Sequence, residues 1–179
     1  VLLHTFFTDE TLQRVVRTVR EEAERVGRDP AAVRIWSCFA VVGDWLPDDV
    51  RLKKTVGRMA TYLQGYGDLM VSTNHWDPAV LERFRRDPFV AGFRGAIDNT
   101  ATTSELEHVA TLIPSEWLAA AGLGTPAECA DAVLRQMDLG ADSVIIHGAT
   151  PAELAPMVHA YRAIRPAGRF DHLAANPGA

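Results

Sequence analysis

Two histidines stand where a parallel sheet would carry out its chemistry. His147 closes the β-branched run Ser143–His147 and is followed by Gly148. His4 precedes Thr5 and follows residues 1–3 (VLL), which read as the end of a strand. In parallel α/β sheets and barrels, ligands gather just past the C-terminal ends of the strands. A histidine there can donate to a ring carbonyl or phosphate oxygen, or titrate near neutral pH. A glycine there lets the backbone approach a ligand. The plainer role for each histidine is a hydrogen bond to a neighbouring loop. Thr150 reads as a helix cap whose helix N-terminus also favours an anion.

A second group is Asn74, His75 and Trp76. An aromatic beside polar groups suits the wall of a flat ring ligand, and packing is the simpler role for Trp76. Along residues 34–42 (RIWSCFAVV), Trp36, Ser37, Cys38 and Phe39 alternate. One pair must face the helices and the other the opposite side of the sheet. Ser37 and Cys38 lie inside an apolar strand rather than on a strained turn, which disfavours a nucleophile. The histidines His4, His75, His108, His147, His159 and His172 are scattered, with no pair at ligand spacing on one helix, so no metal site is expected. No GxGxxG, GxxxxGK[ST] or GxSxG pattern occurs.

These residues need elements to hold them. Residues 124–148 (GTPAECADAVLRQMDLGADSVIIHG) read as a helix feeding a strand. Thr125 and Glu128 form a capping box around Pro126, and Gly140 stops the helix. The strand is apolar without alternation, as expected when both faces are covered. Thr8 caps an amphipathic helix over residues 9–26, with Leu12, Val15, Val16, Val19, Ala23 and Val26 inward. Gly27 ends it, and residues 34–42 form the next covered strand. Helices are predicted over 47–64, Pro78–Arg86, 103–113 and 115–121, with an aromatic loop at 65–77. Residues 43–123 thus form a helical insertion, which reads equally as a lid or substrate wall over the C-terminal face or as packing and an oligomer contact. A last helix lies within Pro151–Ile164, where Pro156 marks a kink or the true start. Residues 166–179 read as a surface tail.

At 179 residues the chain suits one domain with a core. A net charge of −5 argues against nucleic acid or an anionic membrane as partner. Cys38 and Cys129 read as two buried thiols in a reducing, cytoplasmic setting. A fold seldom begins inside a buried strand, so residues 1–3 lead us to expect the C-terminal piece of a longer protein.

Three segments in order resemble the C-terminal part of the bacterial luciferase-like monooxygenase superfamily, especially its deazaflavin (coenzyme F420)-dependent oxidoreductases. They are VGRDPAAVRIW, then MATYLQGYGDLM with NHWDPAVLERFR, then IPSEWLAAAGLGTPAECADAVLRQMDLGADSVIIHG. The resemblance implies an α/β chain forming the last three strands of a (βα)8 TIM barrel. Residues 1–3, 34–42 and Ser143–His147 would be strands six to eight, with the insertion between the last two. It implies coenzyme F420, or alternatively FMN, at the barrel mouth for monooxygenation or hydride transfer on a small-molecule substrate. His4, Thr5, His147, Gly148 and Trp76 would then line cofactor or substrate. The catalytic groups would come from strands before Val1, so the chain alone would be inactive. Its partners would be the N-terminal half of the barrel or a second copy. The competing readings are a non-catalytic α/β binding module and another TIM-barrel enzyme with a phosphate site after its last strands.

Overall fold

The computed structural model describes residues 1–171, so the end of the expected tail, with His172, lies outside the described residues. Thr8 caps α1 (Asp9–Arg25) by accepting from Thr11 N, and Leu12, Val16 and Ala23 are buried on its inner stripe. After a 3-10 turn at Pro30–Ala32 comes β1 (Trp36–Gly43). It starts later than residue 34 because Ile35 N donates to the Asp142 carboxylate at 2.7 Å instead of joining a ladder. Arg20 of α1 reaches the same carboxylate at 2.7 Å, which ties α1 to the base of the sheet.

The excursion after β1 corrects the sequence reading. α2 (Asp48–Leu52), a π turn at Lys53–Gly57 and α3 (Arg58–Asn74) run end to end, so most of the expected loop at 65–77 is helix. Two glycines, Gly65 and Gly67, lie inside this helix. Gly67 is a contact point, since a Cβ on it would lie 2.7 Å from Leu81 Cδ1. Burial of Met70 and Val71 outweighs a glycine cost of about 1 kcal/mol in the helix. Only Tyr66 leaves helical geometry, with φ −132°, and His75 ends the helix in the left-handed region at φ 55°.

α4 (Pro78–Arg86) matches expectation, whereas α5 (Pro88–Gly92) and α6 (Ile97–Thr100) were not foreseen. α7 (Thr103–Ala110) and α8 (Ser115–Leu118) stop short of 113 and 121. β2 (Gly122–Gly124) is a further unforeseen element, too short and glycine-rich to announce itself. α9 (Pro126–Asp138), β3 (Ser143–His147) and α10 (Pro151–Ile164) complete the described chain. The Thr125–Glu128 capping box forms as read. Pro156 lies inside α10 and does not mark its start.

The fold is mixed α/β with a three-stranded parallel sheet in the order β2-β1-β3. Leu2 makes a parallel bridge to Trp36, whose other neighbour is Ser143, so the first residues flank β1 on the side away from β3. Paired residues of parallel strands share a face. Phe39 and Val41 point with Val144 and Ile146 into a core completed by Cys129, Ala130, Val133 and Met157 of α9 and α10. Ser37 shares that side and donates to Gln136 Oε1 at 2.8 Å. The opposite face carries Trp36, Cys38 and Ala40, paired with Ser143, Ile145 and His147. Among these, Ala40 is buried in the largest core, with Met59, Leu63, Leu81 and Phe84 of the insertion.

Candidate functional site

Thr5 joins the two histidines. Its Oγ1 is 2.6 Å from His147 Nε2, and His4 Nδ1 donates to its carbonyl oxygen at 3.0 Å. The ends of the first segment and of β3 therefore meet through one residue that is only 4% exposed. Because a carbonyl can only accept, His4 Nδ1 carries a proton.

The next residue stores strain. Phe6 has φ 61°, a region costly for a bulky side chain. It is held there by Asn74, whose Nδ2 donates to Phe6 O at 2.9 Å while its Oδ1 accepts from Thr8 N at 3.1 Å. The Phe6 ring meets Tyr62 and His147 edge-on, at 5.4 and 6.0 Å. Asn74 thus sets the turn that carries the chain from His4 and Thr5 into α1.

The long helix supplies the roof as a stripe of four residues at four-residue steps: Lys54, Arg58, Tyr62 and Tyr66. In a straight α-helix such a stripe drifts round the axis, since a turn takes about 3.6 residues. The wider π turn between Lys54 and Arg58 offsets part of that drift. His4 packs edge-on to Tyr62 and Tyr66, with centroids at 5.4 and 5.7 Å. Lys54 Nζ donates to Gly148 O at 2.7 Å and pairs with Glu153 at 3.2 Å. Arg58 pairs with Asp98 at 3.3 Å, and its guanidinium presses on Gly148, where a Cβ would lie 2.5 Å from Nη1. Gly148 sits at φ +79°, so both backbone and space demand glycine.

Burial, then the Arg58 cation, then His4, hold the His147 imidazole well below its ordinary range, at about 4. His147 is therefore a neutral ring near pH 7. Burial also raises the Tyr62 phenol and the Cys38 thiol. Both groups stay protonated, so the site offers neutral hydrogen-bonding groups beside two paired cations.

Four of the residues singled out in the sequence, His4, Thr5, His147 and Gly148, converge here. Trp76 does not join them. Its ring stacks on Trp117 at 4.4 Å and 9°, packed against the insertion core, and His75 is exposed. At Thr150 the start of α10 is closed by the chain's own Glu153 carboxylate, 2.6 Å from Thr150 N, which leaves an anion little to bind. Sequence reasoning missed Lys54, Arg58, Tyr62 and Tyr66, although their spacing was visible. Among the described residues no group of three or more His, Cys, Asp or Glu could hold a metal ion. Among them, too, no helix is long and apolar enough to cross a membrane.

One partly open pocket adjoins the cluster. It is lined by His4, Phe7, Leu69, Met70 and Thr73 among others and measures about 70 Å³. An engineered apolar cavity of about 150 Å³ admits benzene, so this pocket is roughly half that size. The residues present therefore fit one edge of a planar cofactor, through the His4 ring, the two phenols and the neutral His147. They enclose no ring by themselves. No family model matches the chain, and no curated protein or solved structure matches it either.

Proposed function

We propose that this chain supplies the last strands of a (βα)8 barrel in a luciferase-like oxidoreductase that uses a deazaflavin, coenzyme F420, or alternatively FMN. The observation that carries this reading is the 2.6 Å contact between Thr5 and His147. It joins side chains of two parallel segments that flank β1 from opposite sides, at the C-terminal edge of the sheet, the edge at which barrel enzymes bind their ligands. Further support comes from the sheet itself. Leu2 is 64% and Ile145 38% exposed on the side away from α9 and α10, as strands facing an unfilled barrel interior would be. β3 also pairs on one edge only among the described residues.

In this reading the bound coenzyme supplies the redox chemistry. His4 and Thr5 contact its edge or the substrate, and His147 stays neutral behind them. Tyr62 and Tyr66 shield the mouth from water. Lys54 and Arg58 fix the backbone at Gly148 so that β3 ends in one conformation.

The test is coenzyme binding by the full-length protein, followed by fluorescence quenching with F420 and with FMN separately. Saturable binding of either is expected, and binding of neither overturns the assignment. Sedimentation of the 179-residue chain alone is an independent check. Its open sheet should make it associate or aggregate, and a well-behaved monomer counts against the partial barrel.

A further inference from the structure

Two strained residues meet at one amide. Among the described residues, Phe6 (φ 61°) and His75 (φ 55°) are the non-glycine residues with positive φ. Asn74 links them. It precedes His75 in the chain, and its Nδ2 donates to Phe6 O at 2.9 Å. Its Oδ1 accepts from Thr8 N at 3.1 Å, so one side chain grips the backbone on both sides of Phe7. The grip is braced from α1, because Thr11 and Arg14 both donate to the neighbouring Thr73 carbonyl. On the other side, Leu3 N is fixed to Trp36 O at 2.9 Å. Residues 4–7 are therefore a short span between two anchors, with the strain in its middle. Left-handed backbone is intrinsically unfavourable for a phenylalanine. Relaxing it re-aims the span that carries Thr5, whose hydroxyl makes the 2.6 Å contact to His147. The strain at Phe6 works against that contact, and Asn74 works for it.

We propose that residues 4–7 form a two-position latch whose catch is Asn74. With the catch engaged, Phe6 is left-handed, its ring is buried against Tyr62 and His147, and Thr5 sits on His147. With the catch released, Phe6 returns to a negative φ, Thr5 leaves His147, and the end of β3 opens to water. A ligand that favours one position shifts the latch by its differential affinity. The inference thus goes beyond the coenzyme reading and holds for any ligand of this edge. The groups around the His147 ring are Thr5, Phe6 and His4 from the span, with Arg58 and Tyr62 from α3. Release withdraws the first three and leaves the cation and the phenol. His147 then gains water, and its titration rises from about 4 without reaching the 6.5 of an open imidazole.

The test is hydrogen exchange in the full-length protein, read by mass spectrometry at the Thr8 amide and at the imidazole C2 position of His147. Asn74→Leu keeps the bulk of the side chain, adds no charge and removes both grips. The Thr8 amide should then exchange at least about tenfold faster, the worth of one buried hydrogen bond left unmade. The His147 midpoint, from C2 exchange across pH, should rise from about 4. Amides of β1 should keep their protection. Thr5→Val removes the contact but leaves the catch, so the Thr8 amide should stay protected in that variant. A His147 midpoint that stays near 4 in a folded Asn74→Leu protein overturns the latch. Equal release of the Thr8 amide by Thr5→Val does so too, since the contact and not Asn74 would then hold the turn. If Asn74→Leu does not fold, the unmodified protein decides. Its Thr8 amide should exchange through a local opening, at a rate that low denaturant leaves unchanged. Exchange only through global unfolding would remove the second position. None of these readouts involves a coenzyme, so failure of the latch and failure of the oxidoreductase reading are seen separately.

Discussion

The two faces of β1 are built from one apolar run but live in different surroundings. Toward α9 and α10, Ser37, Phe39 and Val41 are 4%, 5% and 2% exposed. On the other face Ala40 is covered by the insertion, while Trp36 and Cys38 stay half-buried. Their neighbours on that face, Leu2 and Ile145, are open to solvent. The first face is finished by the chain's own helices. The second is finished only at its C-terminal end, where the insertion meets His4 and His147. Sequence that is apolar on both sides and covered on one marks where further structure belongs.

The largest predicted contrast tests this asymmetry directly. Phe39→Ala should destabilise by about 3–5 kcal/mol, because it empties a packed site between sheet and helices. Ile145→Ala, on the open face, should cost under about 1 kcal/mol. Urea unfolding of the two variants measures both, and equal losses would erase the distinction between the faces. Next in size is Asn74→Ala, at roughly 2–3 kcal/mol. It strands Thr8 N and Phe6 O and frees Phe6 from its left-handed backbone. Hydrogen exchange should then rise at residues 4–8 and remain low in β1. A loss confined to global stability, with no local change, would mean that Asn74 does not set the site.

Much of the finished face was legible in the sequence. Ser143–His147 and Pro78–Arg86 were read at their observed limits, and the last helix was placed within Pro151–Ile164, because caps and apolar periods are local signals. The roof over the site was not. Residues 65–77 read as a loop, and only the approach of Leu81 explains the buried Gly67 within α3. β2 was invisible because its register comes from Val41–Gly43, far away in sequence. For the site, reading strand ends found His4, Thr5, His147 and Gly148. The same rule had nothing to say about the π turn and α3, whose stripe of Lys54, Arg58, Tyr62 and Tyr66 needs the partner surface to give it meaning. Trp76 misled because an aromatic next to Asn and His looks functional until its stacking partner, Trp117, is known.

A smaller effect separates the two ends of the open face by pH. His147 lies near 4 in the folded chain and near 6.5 unfolded. As pH falls, the unfolded chain takes up the proton first, so stability is full above about 6.5 and is lost between there and 4. With partial exposure and screening allowed for, the loss should be roughly 2 kcal/mol. His147→Gln should flatten that window, and Arg58→Met should raise its lower limit and shrink the loss by removing a neighbouring cation. Both curves come from denaturant midpoints between pH 4 and 7. Ser143, at the other end of β3, carries no such charge cost, so Ser143→Ala should leave the slope unchanged. An unaltered slope in His147→Gln would show that the depressed imidazole is not what the closed end of the face sustains.

The smallest expected change in stability accompanies the clearest change in behaviour. Ile145→Lys places a charge on the open face opposite Cys38 in the register. Its own stability should move by no more than about 0.5 kcal/mol, since Ile145 is already 38% exposed. If that face is unfinished sheet, the charge should block whatever associates there, and the sedimenting species should become smaller than that of the unmodified chain. The corresponding charge at Val144, packed against the cluster formed with α9 and α10, should unfold the chain instead. If Ile145→Lys also unfolds it, the face is already packed in solution, and the contrast between a finished and an open side of β1 fails.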